Sequence, residues 1–211
     1  MAERSDMKAI EAWMRSFGWE PEHSLQVRVL ALQLFDQLKP LHGLTRGDRQ
    51  MLEAAAIVHD IGFSIDELGH HKHSFRLIRK GRLPGFSPAQ QEIIAHVARY
   101  HRKAHPQLSH KSFAKLSPQD RERVRKLSAM LRLTDGLDRS HLSTVRKLCC
   151  DLSQDGVVVE VHGVGEVGFD IWGAERKRAL FEEVFGLKVR FAYPEAGRAP
   201  GSPRREGSGV A

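Results

Sequence analysis

The apolar run of residues 54–58 ends in His59-Asp60-Ile61-Gly62, so an apolar helix terminates in an imidazole and a carboxylate. Ionisable groups in a core cost on the order of several kcal/mol unless a partner or a metal ion compensates them. His23 lies upstream on a second apolar helix, and Asp135 lies downstream on a third. Four nitrogen and oxygen ligands from three helices would form a divalent-metal site, and that site requires the three helices to meet.

Taken singly, each of these residues also has an ordinary structural explanation. A histidine on an apolar helix, such as His23, is more commonly a buried group with a hydrogen-bond partner than a ligand. Asp135 could be a helix-terminal acid paired with a nearby arginine. His59 and Asp60 are more specific, because adjacent helical positions lie about 100° apart and both can reach an ion near the helix end. The combination therefore favours a metal site.

Helical periodicity fills the first part of the chain, and capping signals mark several helix starts. Ser87-Pro88 and Ser117-Pro118 each put a capping serine before a proline at the first helical position. Thr45 opens another helix, which runs to the His59-Asp60 pair. These patterns predict a bundle of helices.

Further along the chain the pattern changes from helix to strand. The β-branched run 157–161 follows a turn and is predicted to pair with residues 147–152. A helix over 174–185 and an alternating strand over 187–193 are predicted to follow. This part therefore reads as a small β-β-α-β unit.

The predicted domain organisation has three parts. Residues 1–140 form the helical metal-binding domain, and residues 141–195 form the β-β-α-β appendage. Residues 196–211 are rich in glycine, proline and serine, which predicts a disordered tail. The expected fold class is mainly α, a helical bundle with a small C-terminal α+β appendage.

Composition indicates a protein of the cytoplasm. The 211 residues are 41% hydrophobic and 28% charged, a balance that suits one sizeable globular core. No apolar stretch approaches the roughly 20 residues that span a bilayer, and the polar N-terminus lacks the apolar region of a signal peptide. Cys149 and Cys150 are adjacent and cannot crosslink distant elements. These features predict a cytoplasmic chain without a membrane partner.

The net charge of +7 is concentrated in two stretches. Residues 99–126 carry nine Lys/Arg against two acids, and residues 72–82 carry five Lys/Arg and no acid. Such stretches attract anions such as phosphates or polyphosphate, although a solvated helix face is the simpler alternative. Nucleic acid is the weaker candidate, because Tyr100 and Phe113 are the only aromatic residues in the 99–126 stretch that could stack on bases.

The motif set resembles the HD superfamily of metal-dependent phosphohydrolases, whose ligands are spaced His…His-Asp…Asp on a helical bundle. More narrowly, it resembles the C-terminal HD-type region of the exopolyphosphatase/guanosine pentaphosphate phosphatase family, over about residues 5–193. The stretches that carry the likeness are 54–62, 70–74, 83–87, 98–103 and 131–141. The resemblance implies an HD-type helical bundle, and the appendage matches the small terminal region of that family.

The resemblance also implies a ligand set, formed by His23, His59, Asp60 and Asp135. Mixed imidazole and carboxylate ligands suit Mn, Mg, Fe, Ni or Co better than an all-thiolate zinc site does. A bound metal ion lowers the pKa of its water toward neutrality and polarises a phosphoryl oxygen, which suits phosphate hydrolysis. Asp138 lies three residues after Asp135 and could orient a ligand.

Fixed cations and further histidines complete the expected site. Charge that develops on a phosphate needs cationic groups nearby. The substrate-binding candidates are Lys72, Arg76, Arg99, Arg102 and Arg139. His70 and His73 share a helix face and could hold a second metal ion or supply a general acid. His101 is a third catalytic candidate, since it lies in the family-like segment 98–103.

One departure from the family divides the functional hypotheses. In that family an actin-like pair of domains with glycine-rich phosphate loops hydrolyses polyphosphate or guanosine pentaphosphate, and this sequence contains no such loop. The first hypothesis is a metal-dependent phosphohydrolase that acts on a phosphate ester or anhydride of a nucleotide-like or polyphosphate-like molecule. The alternative is a non-catalytic module that binds polyphosphate or a nucleotide, or that dimerises. A homodimer stays open under both hypotheses.

Overall fold

The computed structural model describes residues 4–18 and 21–193, most of which are helical. The helices are α1 (Arg4–Arg15), α2 (Pro21–Gln37), α3 (Lys39–His42), α4 (Arg46–Val58), α5 (His70–Lys80), α6 (Pro88–Arg99), α7 (Lys111–Ala114), α8 (Pro118–Gly136), α9 (Gly168–Glu175) and α10 (Ala179–Phe185), with a 3-10 turn at Ile61–Ser64. The strands are β1 (Val145–Ser153), β2 (Gly156–Gly163) and β3 (Val189–Ala192). The predicted fold class, mainly α with a small C-terminal sheet, is confirmed.

The helices begin where the capping signals predict. The Thr45 hydroxyl accepts the backbone N–H of Asp48 at 3.3 Å, and the Asp48 carboxylate accepts the backbone N–H of Thr45 at 2.8 Å. Ser87 and Gln90 form the same reciprocal pair at the start of α6. Each pair satisfies donors that a helix start leaves without an intrahelical acceptor. The capping residues therefore determine where α4 and α6 begin.

Helix α4 lies at the centre of the bundle. Every residue from Met51 to Val58 is buried, and α2, α6 and α8 pack around it. Because apolar neighbours surround α4, its C-terminal end lies inside the protein rather than at the surface. The chain continues from that end into His59 and Asp60, which are 0% and 4% exposed.

The sheet has the order β1-β2-β3. Strands β1 and β2 form an antiparallel hairpin, while β2 and β3 pair in parallel. The single helix predicted over 174–185 is wrong, because two short helices occupy this region, with Arg176 to Arg178 between them. The expected β-β-α-β unit is therefore β-β-α-α-β, and the break between α9 and α10 turns Lys177 toward the bundle.

Two glutamines of α2 attach the sheet to the bundle. The Gln33 side-chain carbonyl accepts the backbone N–H of Leu148 at 2.8 Å, and the Gln37 carbonyl accepts that of Cys150 at 2.9 Å. The Gln37 amide also donates to the Leu148 carbonyl at 2.9 Å. These bonds occupy the free edge of β1, which would otherwise present unpaired backbone groups.

The apolar core is continuous between the bundle and the sheet, since Val145, Leu148 and Leu180 belong to the same buried cluster as α4. The domain boundary at residue 140 stays a prediction. The tail predicted over 196–211 lies outside the described residues. Among the described helices, none is both long and apolar enough to cross a membrane.

Candidate metal centre

A first cluster of ligand atoms forms where α2, α4 and α8 meet. Nε2 of His23 lies 3.3 Å from Oδ1 of Asp135 and 3.8 Å from Oδ2 of Asp60. Nε2 of His59 lies 3.4 Å from the same Asp60 oxygen and 3.9 Å from Asp135 Oδ1. All four side chains are buried. The structure thus brings together the four residues in the predicted ligand set.

A second cluster forms on the other oxygen of Asp60. Nε2 of His70 lies 3.3 Å from Asp60 Oδ1, and Nε2 of His101 lies 3.5 Å from it. The two Nε2 atoms are 3.3 Å apart. The Asp60 carboxylate therefore stands between two pairs of histidines, with Oδ2 toward one pair and Oδ1 toward the other. Each cluster could hold a metal ion.

Hydrogen bonds set the same tautomer in all four histidines. Nδ1 of His59 donates to the Ala56 carbonyl at 2.8 Å, and Nδ1 of His101 donates to the Ala98 carbonyl at 2.7 Å. Nδ1 of His70 donates to the carbonyl of Glu67 at 3.1 Å. A carbonyl oxygen only accepts, so each of these Nδ1 atoms carries the proton.

The fourth histidine, His23, also carries a proton on Nδ1, but its acceptor is a carboxylate. Nδ1 of His23 donates to Oδ2 of Asp138 at 2.8 Å, and the other Asp138 oxygen accepts the backbone N–H of Ser143 at 2.8 Å. Asp138 thus orients His23 in the way the sequence suggests. All four Nε2 atoms converge on Asp60, which is the arrangement of imidazoles that ligate a metal once Nε2 is deprotonated.

The electrostatics of the site suit a cation. Burial lowers the pKa of His70, and it lowers that of His101 well below the ordinary value, so both rings are neutral. Burial also opposes charge on His23, but its hydrogen bonds to Asp135 and Asp138 outweigh burial and raise the pKa of His23 to about 10. A proton on Nε2 of His23 would therefore supply the positive charge that a metal ion otherwise brings.

Two buried polar atoms test whether a metal ion fits. Nε2 of His59 and Oδ1 of Asp60 have no hydrogen-bond partner among the described residues. A buried polar atom without a partner costs about 1–3 kcal/mol. One such atom belongs to each cluster, and a cation at each position would satisfy both. The donor set of imidazole nitrogen and carboxylate oxygen suits a divalent first-row metal ion or Mg²⁺.

Gly62 explains how His70 reaches the centre. A Cβ at Gly62 would collide with the backbone carbonyl of His70 and with the backbone N of Ser74. The Gly62 N–H instead donates to the Ser74 hydroxyl at 2.9 Å. The start of α5 can therefore lie directly against the segment that carries His59 and Asp60.

An open cavity of about 500 Å³ lies over both clusters. Its floor contains His23, Asp60, His70, His101 and Asp135. Its cationic side chains are Arg102, Lys103, Arg132, Arg139, Arg176 and Lys177. A carboxylate floor beneath a cationic wall suits a metal-assisted reaction of an anion.

Helix α9 forms one wall of this cavity. A Cβ at Gly136 would lie 2.6 Å from Cα of Ala174, and a Cβ at Gly173 would lie 2.7 Å from Cβ of Arg139. The two glycines thus let the backbones of α8 and α9 touch. Lys177, just after α9, forms an ion pair with Oδ2 of Asp135, the carboxylate oxygen that does not face His23.

The family comparison agrees with the motifs in the sequence. Residues 6–164 match the family model described as Ppx/GppA phosphatase, domain III. This range holds all four histidines of the two clusters, together with Asp60 and Asp135.

The chain belongs to the Ppx/GppA phosphatase domain III family.

Curated relatives of this domain III protein include two that bear the name guanosine-5'-triphosphate,3'-diphosphate pyrophosphatase. The protein from Aeromonas salmonicida is 35% identical over 89 residues, and the one from Aeromonas hydrophila is 30% identical over 89 residues. Each alignment covers 42% of this chain and 18% of the relative. The matched region is therefore about a fifth of the length of these curated relatives.

The wall formed by α9 lies beyond the family match. The match ends at residue 164, whereas α9 begins at Gly168. Trp172, Arg176 and Lys177 line the cavity from this segment. The metal-ligand candidates of this domain III protein thus lie inside the matched range, and part of its cationic wall lies outside it.

Four of the five predicted substrate-binding residues line one or both of two neighbouring cavities. Arg139 lines the cavity over the clusters, and Arg102 lines both that cavity and a neighbouring one. Lys72 and Arg99 line only the neighbouring cavity. Arg76 is exposed on α5 and lines neither cavity.

Only two of the three predicted catalytic histidines lie in a ligand cluster. His70 and His101 meet in the second cluster, whereas His73 belongs to neither cluster and is half-buried on α5. Spacing by three residues puts His70 and His73 on one helix face, but the partner of His70 comes from the end of another helix. Sequence spacing does not reveal such a contact.

Sequence reasoning missed several side chains of the cavity, including Arg132, His141, Arg176 and Lys177. Arg132 is buried and donates to the backbone carbonyls of Tyr100 and Lys103 at 3.0 and 3.2 Å, so it supports the segment that carries His101. His141 stacks on His23 with ring centroids 4.0 Å apart. Lys177 is 42 residues from Asp135, and nothing local distinguishes it from a solvated lysine. The only signal for Arg132 was a charge inside an apolar helix.

Proposed function

We propose that this chain is a metal-dependent phosphohydrolase of the HD type, which acts on a phosphate ester or anhydride of a nucleotide-like or polyphosphate-like molecule. The observation that carries the proposal is the Asp60 carboxylate between two histidine pairs whose Nε2 atoms all lie within 3.8 Å of it. His23, His59, Asp60 and Asp135 would hold one ion, and Asp60, His70 and His101 a second.

Bound divalent ions would supply nucleophilic water and polarise a phosphoryl oxygen. The residues of the chain prepare the rest of the site. Arg139 and Arg176 line the cavity and would neutralise non-bridging oxygens, since guanidinium groups bind phosphate bidentately. Lys177 holds one Asp135 oxygen, which leaves the other directed at His23. Asp138 keeps His23 in the tautomer that a ligand requires.

The test is a phosphatase screen with metal-loaded protein. Purified chain loaded in turn with Mn, Mg, Ni, Co or Fe(II) is assayed for phosphate release from a panel of nucleotides, phosphate esters and short polyphosphates. We expect activity that depends on the added metal and that falls at least a hundredfold in Asp60→Asn and His101→Ala. Arg146→Met, an exposed substitution on β1, is the matched control and should retain the activity.

A metal-loaded wild-type chain that releases phosphate from no member of the panel contradicts hydrolysis. Equal activity in wild type and Asp60→Asn would instead assign any phosphate release to a contaminant. Circular dichroism of each variant separates loss of the site from loss of the fold.

The second candidate is a non-catalytic module that binds polyphosphate or a nucleotide. It is favoured by one observation, that the matched region is 18% of each curated relative, so the activity in their names need not reside in it. Binding of tripolyphosphate that persists in Asp60→Asn, together with no metal-dependent hydrolysis, supports this candidate over the first. Dimerisation and the cytoplasmic location stay predictions.

A further inference from the structure

A second cavity, of about 450 Å³, opens beside the metal centre at the start of α5. We call it the α5 pocket. Four cationic side chains line it, Lys72, Arg99, Arg102 and Lys103, and its lining contains no acidic residue. Uncompensated positive charge in a concave site raises the local concentration of anions. The α5 pocket therefore favours an anion of more than one negative charge.

The start of α5 contributes to this pocket. Gly69 and Lys72 line it, and Gly69 is the N-cap residue of an 11-residue helix. Gly69 provides no side-chain cap, and the first turn contains no acidic residue. The partial positive charge of a helix N-terminus thus adds to the charge of the side chains.

A buried histidine gives an independent indication of a ligand. His71 lines the α5 pocket and is only 8% exposed, yet its Nδ1 has no hydrogen-bond partner among the described residues. A buried ring nitrogen without a partner is costly unless a ligand or water pairs with it. In this packing the nitrogen is closed to solvent, so an anion in the pocket would accept a hydrogen bond from it only after the ring turns.

The wall between the two cavities is shared. Arg102 and Lys103 line both the α5 pocket and the cavity over the metal centre. Arg99 lies on the far side, where its guanidinium stacks over the rings of Phe75 and Tyr100 at 5.2 and 5.7 Å. These stacking contacts orient Arg99, and an oriented guanidinium loses less entropy when it binds phosphate oxygens.

We propose that the α5 pocket binds a second phosphate group, distinct from the phosphate group that would react at the metal centre. The ligand chemistry is a phosphoryl group of two or more negative charges, held by Arg99, Arg102 and Lys72 at the start of α5. This site goes beyond the proposed function, because it can bind a ligand whether or not the chain hydrolyses anything. The group comes either from the far end of a substrate with several phosphates or from free phosphate.

Binding of tripolyphosphate to metal-free protein tests the site directly. Calorimetry compares wild type with Lys72→Met/Arg99→Met, in which methionine preserves the apolar contacts of both stems. The control Arg146→Met/Lys147→Met removes the same charge from exposed positions on β1. A further variant, Arg139→Met/Lys177→Met, removes charge from the other cavity.

We expect Lys72→Met/Arg99→Met to weaken tripolyphosphate binding at least tenfold. The control should change affinity less than about twofold, and Arg139→Met/Lys177→Met should retain a binding event that Lys72→Met/Arg99→Met loses. A loss of affinity no larger than that of the control overturns the proposal. So does a binding event that only Arg139→Met/Lys177→Met abolishes.

Kinetics on the metal-loaded enzyme distinguish the two sources of the phosphate. If the substrate supplies it, Arg99→Met lowers kcat/KM more for a compound with phosphate groups at both ends than for a monophosphate ester. If free phosphate supplies it, added inorganic phosphate changes monophosphate hydrolysis in wild type and not in Arg99→Met. If the chain hydrolyses no substrate, the proposed function is wrong, but the α5 pocket is not affected by that result. Tripolyphosphate binding still tests the pocket.

Discussion

Asp138 determines which nitrogen of His23 faces the metal centre. It accepts the Nδ1 proton at 2.8 Å, and it is fully buried. Partners of this kind, which touch a ligand and not the ion, typically change metal affinity by about 10- to 100-fold when removed. We predict a loss of that size in Asp138→Ala, measured by calorimetric titration of metal-free protein with Mn²⁺.

Asp151→Ala provides the comparison, because this aspartate is exposed on β1 and far along the strand from the centre. It should bind Mn²⁺ like wild type. Equal affinities of Asp138→Ala and wild type would show that His23 either is not a ligand or needs no partner.

His42 is a residue whose structural role predicts a pH dependence. Its Nε2 donates to the Phe35 carbonyl at 2.8 Å, and its Nδ1 accepts the Leu44 N–H at 2.8 Å, so the ring is neutral. Burial lowers the pKa of His42 below its ordinary value. Its contribution to stability is therefore complete above about pH 6.5, where the unfolded chain is also neutral, and is lost as the pH falls from that value to the lower pKa of the folded state.

Glutamine at position 42 has a donor and an acceptor but does not titrate near neutrality. We predict that His42→Gln flattens the fall in unfolding free energy between pH 7 and pH 5, measured by urea denaturation of metal-free protein. Parallel profiles of variant and wild type contradict a neutral His42.

At the scale of elements, the contact between Gly62 and α5 decides whether the second cluster forms. A Cβ at this position would collide with the backbone of His70 and of Ser74. We predict that Gly62→Ala costs about 1–3 kcal/mol of stability through overpacking. It should also weaken the metal site at His70 and His101 more than the site at His23 and His59, because α5 moves away.

Gly47→Ala is the matched change, since its Cβ would meet only the Thr45 hydroxyl at an ordinary 3.6 Å. It should keep the metal content and thermal stability of wild type. A Gly62→Ala protein with unaltered stability and full metal content would show that α5 can approach without a glycine.

The helices were more predictable from the sequence than the contacts between them. Ser87 and Ser117 act at the N-caps of α6 and α8, because capping is a local interaction that a few residues determine. The break between α9 and α10 could not be predicted in the same way. Helix α9 begins without a side-chain cap. It also contains Gly173, where a side chain would collide with Gly136 and Arg139 of the adjoining segment.

For the whole molecule, the C-terminal part completes a site that the bundle begins. Lys177 reaches the free oxygen of Asp135 because α9 packs on α8 through two glycines. We predict that Lys177→Met lowers kcat/KM for phosphate release by about 10- to 100-fold, roughly the 1.5–3 kcal/mol of one charge-assisted hydrogen bond. Lys177 also lines the cavity, so the hydrogen bond in question is one to the phosphate of the substrate, and the metal content should stay that of wild type.

Lys188→Met tests whether loss of any lysine in this half has the same effect. Lys188 is 73% exposed and pairs with Glu182 away from the cavity, so its removal should leave kcat/KM unchanged. Loss of metal in Lys177→Met would instead mean that the lysine acts only by supporting Asp135.

Whole-molecule contacts also limit what the sequence could reveal about the site. The motif spacing predicted His23, His59, Asp60 and Asp135, since each is an ionisable group beside apolar residues. The pairing of His70 with His101 depends on how two helix ends meet, and Lys177 depends on the docking of α9. These are tertiary contacts between distant residues, and no local pattern encodes them.

The number of metal ions bound per chain tests whether Asp60 lies between two ion sites. Chain loaded with Mn²⁺ and freed of excess ion is analysed by inductively coupled plasma mass spectrometry, beside His59→Ala and His70→Ala. We predict two ions per wild-type chain and a reduced content in each variant, because Asp60 stands between two histidine pairs. Fewer than two ions per wild-type chain, or a content that neither substitution changes, would contradict it.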